Sequence, residues 1–268
     1  MISLPFSDAC PPLALDGEAA HALLDSLTQQ GLPGATYEIR GIGGRTPWQT
    51  VECFANWSLN LNRPLATIER ALDSDYRRDL RRAARQAIRI EHGSALDYVE
   101  RFYALQLESR RRLGLPPQPW RFFALVQEIF AARGDLDVWI AREAGQDVAS
   151  AVFLRDGHVI HYKWGARRAK QESSVNHLLF WNAIEEFVTR SQVLDLGRTD
   201  VRNLGLTRFK RAMGATATPV PFSFYPRAPS QVSPEVLTGT QRIISSLWRR
   251  LPISATKMLG GAIYGFLT

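Results

Sequence analysis

Cysteine is almost missing from this chain, which holds only Cys10 and Cys53 among 268 residues. Two cysteines give no disulfide framework and no C-x-x-C pair, so a reducing compartment is the expectation. Long apolar runs are missing too, since no stretch approaches the ~20 residues that span a bilayer. The opening MISLPFSDAC has neither a basic start nor an apolar core, which argues against a secretory signal. The sequon NWS at Asn56 is therefore read as chance. Histidine is scarce, and His158 and His161 point to opposite faces of one expected strand with no carboxylate or cysteine at ligand spacing. No metal site is expected. No Ser/His/Asp or Cys/His grouping stands out to supply a covalent nucleophile.

Acidic residues are outnumbered: 33 Lys and Arg face 26 Asp and Glu, a net charge of +7 with a pI near 9.8. That balance favours an anionic partner, whether nucleotide, nucleic acid or membrane surface. The apolar share of 45% and charged share of 22% are ordinary for a soluble globular protein, and the length suits one large domain or two small ones.

Periodicity divides the chain. Residues 17–30 read as a helix with Ala20, Leu23, Leu24 and Leu27 on one stripe. ATYEIRG (35–41) and WSLNL (57–61) alternate like strands around a GIGGRTP loop. One long helix is expected over about 64–87, with Pro64 in its first turn. IRIEHG is a short strand, followed by helices over roughly 95–113 and 120–133 separated by GLPPQP. Strands at 136–142, 148–155 and 158–165 are joined by turns short enough for antiparallel hairpins. A helix over about 174–190, the strand QVLDLG, the short helix LTRFKRAM and the extended TATPVPFSFY complete an α+β layout on a mixed sheet. The tail from Ser233, apolar and basic, reads either as a packed helical appendage or as an interfacial segment.

Cations gather in two places. YRRDLRRAARQAIR sets Arg77, Arg81, Arg85 and Arg89 four apart with Arg78 and Arg82 alongside, one cationic face if helical throughout. Such a face suits a polyanion such as a tRNA acceptor stem, a nucleotide-sugar diphosphate or an anionic bilayer; it is equally a solvated face relieved by Asp73, Asp75 and Asp79. DLGRTDVRNLGLTRFKRAMGA, residues 195–215, leaves an apolar strand and collects arginines and Lys210 among glycines. Tyr162 and Trp164, two apart on the third hairpin strand, line a pocket or belong to the core.

Over 87–226 the order β-α-α-β-β-β-α-β-α-β resembles the GNAT acyltransferase fold. The phrases RRDLRRAAR, FYALQLESRRRLGLPPQPWRFF, HYKWGA and DLGRTDVRNLGLTRFKRAMGA, with the opening LPFSDACPPL, resemble FemAB-type aminoacyltransferases. Their relatives in bacterial exopolysaccharide clusters, the PEP-CTERM-associated FemAB-like proteins, share this wording. The resemblance implies a partial N-terminal GNAT-like half over 1–63, truncated because LPFSD normally lies well inside that half. It further implies a connecting basic helix over 64–86, a complete GNAT-like domain over 87–226 and a helical appendage over 227–268.

By the same resemblance, the fourth and fifth strands of the complete domain splay apart to take the acyl donor, and its diphosphate sits at the N-terminus of the next helix. That assigns Arg167, Arg168, Lys170, Ser173, Ser174 and Arg198 to the donor, although the glycine-rich signature of CoA-binding members is missing. Lys210 would hold a donor phosphate or stabilise the oxyanion, with an ordinary surface lysine as the alternative. Asp195 either accepts a proton from the amine or merely fixes its loop, and Tyr162 joins the catalytic set. Arg77, Arg78, Arg81, Arg82 and Trp164 are assigned to the substrate. The implied activity is transfer of an acyl or aminoacyl group, from acyl-CoA or aminoacyl-tRNA, to an amine of a cell-envelope or exopolysaccharide precursor. The implied setting is the bacterial cytoplasm, with tRNA and the inner-membrane surface as further partners. A non-catalytic RNA-binding or membrane-surface protein on a GNAT-like scaffold is the alternative.

Overall fold

Helix α1 (Gly17–Gln30) begins where the Asp16 side chain accepts a hydrogen bond from the Ala19 amide at 2.8 Å, an N-cap that the sequence supplies. Strands β1 (Tyr37–Arg40), β2 (Gln49–Val51) and β3 (Phe54–Asn60) follow, then helices α2 (Leu65–Ala71) and α3 (Ser74–Ala83). Next come β4 (Ile88–Gly93), α4 (Leu96–Leu113), α5 (Trp120–Ala131), β5 (Leu136–Glu143), β6 (Gln146–Asp156) and β7 (Val159–Arg167). Helix α6 (Ser174–Phe187), β8 (Val193–Asp200), α7 (Leu204–Ala212), β9 (Thr216–Pro219), β10 (Phe222–Tyr225), α8 (Gly239–Arg250) and α9 (Ile253–Ile263) complete the order. This computed structural model describes residues 1–2, 7–32, 34–169, 174–230, 232 and 239–263, the side chains of 239–243 excepted. Lys170 and Ser173 lie outside the described residues.

The chain forms two compact units. The larger holds Ser58–Gly197, Phe209–Thr216 and Leu237–Thr268; the smaller holds Met1–Trp57, Arg198–Arg208 and Ala217–Val236. The larger unit is built on the sheet order β4-β5-β6-β7-β8, continued by the ends of β3 and β9 that belong to it. Strands β4 to β7 are antiparallel neighbours, whereas β7 and β8, joined through α6, run parallel. Helices α4 and α5 cover one face, where Phe102, Phe123, Val138, Ile140 and Val152 are buried together. Helix α6 covers the other, with Phe180 and Phe187 edge-on to Phe153. Emptying Phe102 or Phe123 to alanine would cost about 3–5 kcal/mol. Helix α4 ends at Gly114, whose left-handed φ of 72° lets its amide reach the Arg111 carbonyl at 2.9 Å.

The expected single helix over 64–87 is two. It breaks at Leu72, and Asp73 restarts it by accepting from the Asp75 amide at 2.6 Å. In the smaller unit β10 is the middle strand between β1 and β2, antiparallel to both. The expected single extended run 216–225 is likewise interrupted, since Pro219 and Pro221 have no amide to give a ladder. Leu24, Tyr37 and Trp48 are buried together under α1.

Candidate active site

The sheet of the larger unit opens at one point. Strands β7 and β8 pair at Val159–Val193, Ile160–Leu194 and His161–Asp195, while β7 stays registered with β6 as far as Arg167. Past His161 and Asp195 the two parallel strands therefore part, leaving a fork between them. Two residues past Asp195 the chain kinks, for Gly197 adopts a left-handed φ of 72° that a side chain would strain.

Four residues are locked together at the base of the fork. His161 Nδ1 lies 2.8 Å from Asp195 Oδ2, and Asp195 Oδ1 accepts from the Gly197 amide at 2.9 Å. On α7, Lys210 is only 4% exposed, and its Nζ donates to the Gly197 carbonyl at 2.8 Å. A surface lysine it is not. An ionised aspartate can only accept, so His161 donates from Nδ1 and its Nε2 is the ring nitrogen turned away from Asp195. His161 stays a third exposed. Its partner across β6 is Leu154, which places it on the α4–α5 side of the sheet.

Tyr162 and Trp164 do not share a face. Phe153 pairs with Tyr162 but its neighbour Val152 pairs with Trp164, so Lys163 is an extra residue, a β-bulge. The bulge sends Tyr162 toward Phe180 on α6, with ring centroids 4.9 Å apart. It sends Trp164 into the opposite core, edge-on to Phe122 and Phe123 at 5.6 and 5.4 Å. The period-two reading of these aromatics fails here because a bulge restarts the alternation. The Tyr162 hydroxyl lies where a Cβ on Gly165 would fall, so a side chain there would have to displace it. Burial pushes the Tyr162 phenol up to about 12, keeping it protonated at neutral pH.

Tyr162 and Gly165 also border a cavity of about 180 Å³ closed by Ser109, Arg112, Arg167 and Asn176. Burial and the nearby charge of Arg112 lower the Arg167 pKa, which marks a cationic spot able to receive an anion. The Arg167 amide and carbonyl are both tied to Ser109 Oγ at 2.9 Å, which fixes the backbone here. Ser174 is buried at the first residue of α6. Arg168 is directed elsewhere, its Nη1 2.5 Å from Gln146 Oε1.

The arginines of α3 form a separate feature of this unit. Tyr76, buried, donates to the His177 carbonyl at 3.0 Å and docks α3 on α6. The opposite side of α3 and its exit turn line a cavity of about 720 Å³ with Arg78, Arg81, Arg82 and Arg85. Arg78 pairs with Asp75 at 2.9 Å. Arg77 is exposed and is not part of the lining. The expected continuous face through Arg89 does not form, because α3 ends at Ala83 and Arg89 belongs to β4.

In the smaller unit Arg198 lies over the rings of Phe54 and Phe222, 4.4 and 4.9 Å from their centroids, and 3.8 Å from Asp8. The final Asp of LPFSD and the R of DLGR thus meet. Burial lowers the Arg198 pKa. Sequence reading missed His161 as a partner of Asp195. Nothing short of the β7–β8 register pairs residues 34 apart. Among the described residues no group of three or more His, Cys, Asp or Glu is placed to hold a metal.

The sequence profile of the Acetyltransferase (GNAT) domain matches residues 72–211, just over half of the chain. No curated protein matches the sequence significantly. Among solved structures, FemX superposes with a TM-score of 0.59 at 12% identity over 77% of this chain and 76% of its own. The C-terminal DUF2156 domain of a putative lysylphosphatidylglycerol synthetase from Agrobacterium fabrum gives 0.56 at 11% identity, over 80% and 75%. L-PGS from Bacillus licheniformis gives 0.55 at 10% identity, over 86% and 77%. These likenesses are of fold, and they agree with the mixed sheet parted between β7 and β8. With the profile spanning α3 to α7 and the fork inside it, the chain belongs to the GNAT family of acyltransferases.

Proposed function

We propose that the fork between β7 and β8 receives the carbonyl of an acyl or aminoacyl donor and that an amine attacks it directly. The observation that carries this reading is the His161–Asp195–Gly197–Lys210 set at the point where the strands part. His161 Nε2 takes a proton from the attacking nitrogen, while Asp195 holds the ring and balances the imidazolium charge. The buried Lys210 ammonium sets positive charge where the carbonyl oxygen becomes anionic. The carbon–sulfur or carbon–oxygen bond to the leaving group then breaks. Tyr162, protonated at neutral pH, supplies that group's proton. Arg112 and Arg167 suit the donor's phosphates, and Arg78, Arg81 and Arg82 suit a more extended polyanion.

The donor is acyl-CoA or aminoacyl-tRNA, and the acceptor an amine on a peptidoglycan or exopolysaccharide precursor handled in the cytoplasm. Binding of the purified protein to acetyl-CoA and to charged and uncharged tRNA, each across a salt series, tests this. Saturable, salt-tolerant acetyl-CoA binding identifies a CoA-dependent enzyme, and preference for charged tRNA an aminoacyltransferase. The arginine-lined cavity on α3 favours a second reading, a non-catalytic polyanion-binding module. Steeply salt-dependent binding of every polyanion without CoA binding would select it. So would a Lys210→Ala variant that weakens such binding uniformly and does nothing else.

A further inference from the structure

The two C-terminal helices of the larger unit are held to α4 by a narrow contact and leave much apolar surface in water. On α8, Ser245 and Trp248 face inward, and Ser245 Oγ reaches the Leu113 carbonyl at 3.5 Å. The same helix leaves Ile244 and Leu247 55% and 59% exposed. On α9, Thr256 and Gly260 are buried, with Gly260 so close to Pro117 that a side chain would collide. Met258, on the other side of that helix, is 72% exposed, and Leu259 is exposed beside it. The contact of α9 with the 117–119 loop brings it to the start of α5. There Phe122, Leu125 and Ile129, three and four residues apart, make a further exposed apolar stripe. Isolated exposed leucines need no account, but apolar stripes on three helices of one unit do.

Charge selects the occupant. From Val236 to Thr268 the sequence contains no aspartate or glutamate, yet it contains Arg242, Arg249, Arg250 and Lys257. Arg249 and Arg250, both exposed, close α8 next to its apolar stripe. Lys257 extends over the Tyr103 ring at 5.8 Å, and Arg111 Nη1 donates to the Leu251 carbonyl at 3.4 Å, which adds one cation to the border of the helix pair. On α8 and α9, apolar side chains interspersed with cations and free of acids match an anionic headgroup layer, into which apolar tips sink while Arg and Lys remain at phosphate level; the α5 stripe, which carries the exposed Glu128, lacks that charge pattern. Helices of 12 and 11 residues are far short of the ~20 needed to cross a bilayer, and no helix among the described residues is long and apolar enough to do so. They can only lie on its surface.

We infer that α8 and α9 dock this protein on an anionic lipid bilayer. The inference is independent of the acyl-transfer reading, because vesicle binding needs neither donor nor acceptor. Co-sedimentation with neutral phosphatidylcholine vesicles, and with vesicles carrying about one-third phosphatidylglycerol, tests it across a salt series. Binding is expected to the anionic vesicles alone and to fall as salt rises. Arg249→Gln with Arg250→Gln should weaken partitioning about fivefold per charge removed. Leu247→Ser with Met258→Ser should weaken it about tenfold or more while leaving the melting temperature unchanged, both side chains being exposed. Absence of binding to anionic vesicles overturns the inference. So does binding that ignores the serine pair, which would be charge attraction without insertion. A dimer in solution that Leu247→Ser dissociates would also overturn it, by making a second copy of this chain the occupant.

Discussion

The base of the fork and the arginine cavity on α3 hold the larger unit's charge in opposite ways. At the fork each polar group is pinned by a partner within 3 Å: buried Lys210 on the Gly197 carbonyl, and partly exposed Asp195 on the Gly197 amide and on His161. On α3 the cations project into an open space of about 720 Å³, with solvent screening available to all of them. Buried, oriented charge is costly to keep and is worth most to a reaction, where a dipole already in place needs no reorganisation. Exposed charge is cheap, adapts to many polyanions and fades with salt. The difference separates positions that should govern turnover from positions that should govern affinity.

The largest effect is expected from breaking the dyad. His161→Gln and Asp195→Asn should each lower turnover by about 10²–10⁴-fold. The double variant should be little worse than either single one, since the two residues act as a unit. Strict additivity in that cycle would separate them. Lys210→Met comes next, with two readouts. It removes the ammonium from the fork, and it strands the Gly197 carbonyl, which costs about 1–3 kcal/mol of stability. A full-length protein with unchanged melting temperature would show that the bond to Gly197 carries little.

The cleft side of the comparison is sharpened by Arg81→Ala, Arg82→Ala and Arg85→Ala combined. Polyanion affinity should fall and the salt slope flatten by about one per contacted phosphate lost, with no drop in melting temperature. The smallest effect concerns Tyr162. Its phenol is raised from the ordinary ~10 to about 12 by burial. The stability this contributes is whole below pH ~10 and is lost as pH climbs through about 12. Tyr162→Phe should therefore flatten part of the alkaline loss in urea midpoints between those values. Tyr76 and Tyr103, also raised by burial, lose stability on the alkaline side in the same sense and remain in that variant.

Local pattern made most of the architecture readable. The limits of α1 and α4 follow from Asp16 and Gly114, residues whose preferences are intrinsic. The break between α2 and α3 escapes helical periodicity, which runs on across Asp73; what restarts the helix there is the Asp73 side chain capping the Asp75 amide. Two features had no local trace. The bulge at Lys163 is a property of how β7 meets β6, so the spacing of Tyr162 and Trp164 misled. The burial of Lys210 depends on a carbonyl 13 residues away, exposed to it only by the left-handed turn at Gly197. Asp195 was singled out by its place at a strand end, while the histidine that gives it a role needed the parallel register to be found.

The bulge also bears on how this protein can change. Since Tyr162 and Trp164 already behave as consecutive residues of the ladder, excising Lys163 would exchange no side chain between the two faces. Both aromatic clusters would survive intact, while the wall of the fork lost its irregularity. Insertion or deletion at this one codon therefore remodels the cleft at constant core composition. The packing around Phe123 and Phe180 would be left as it was.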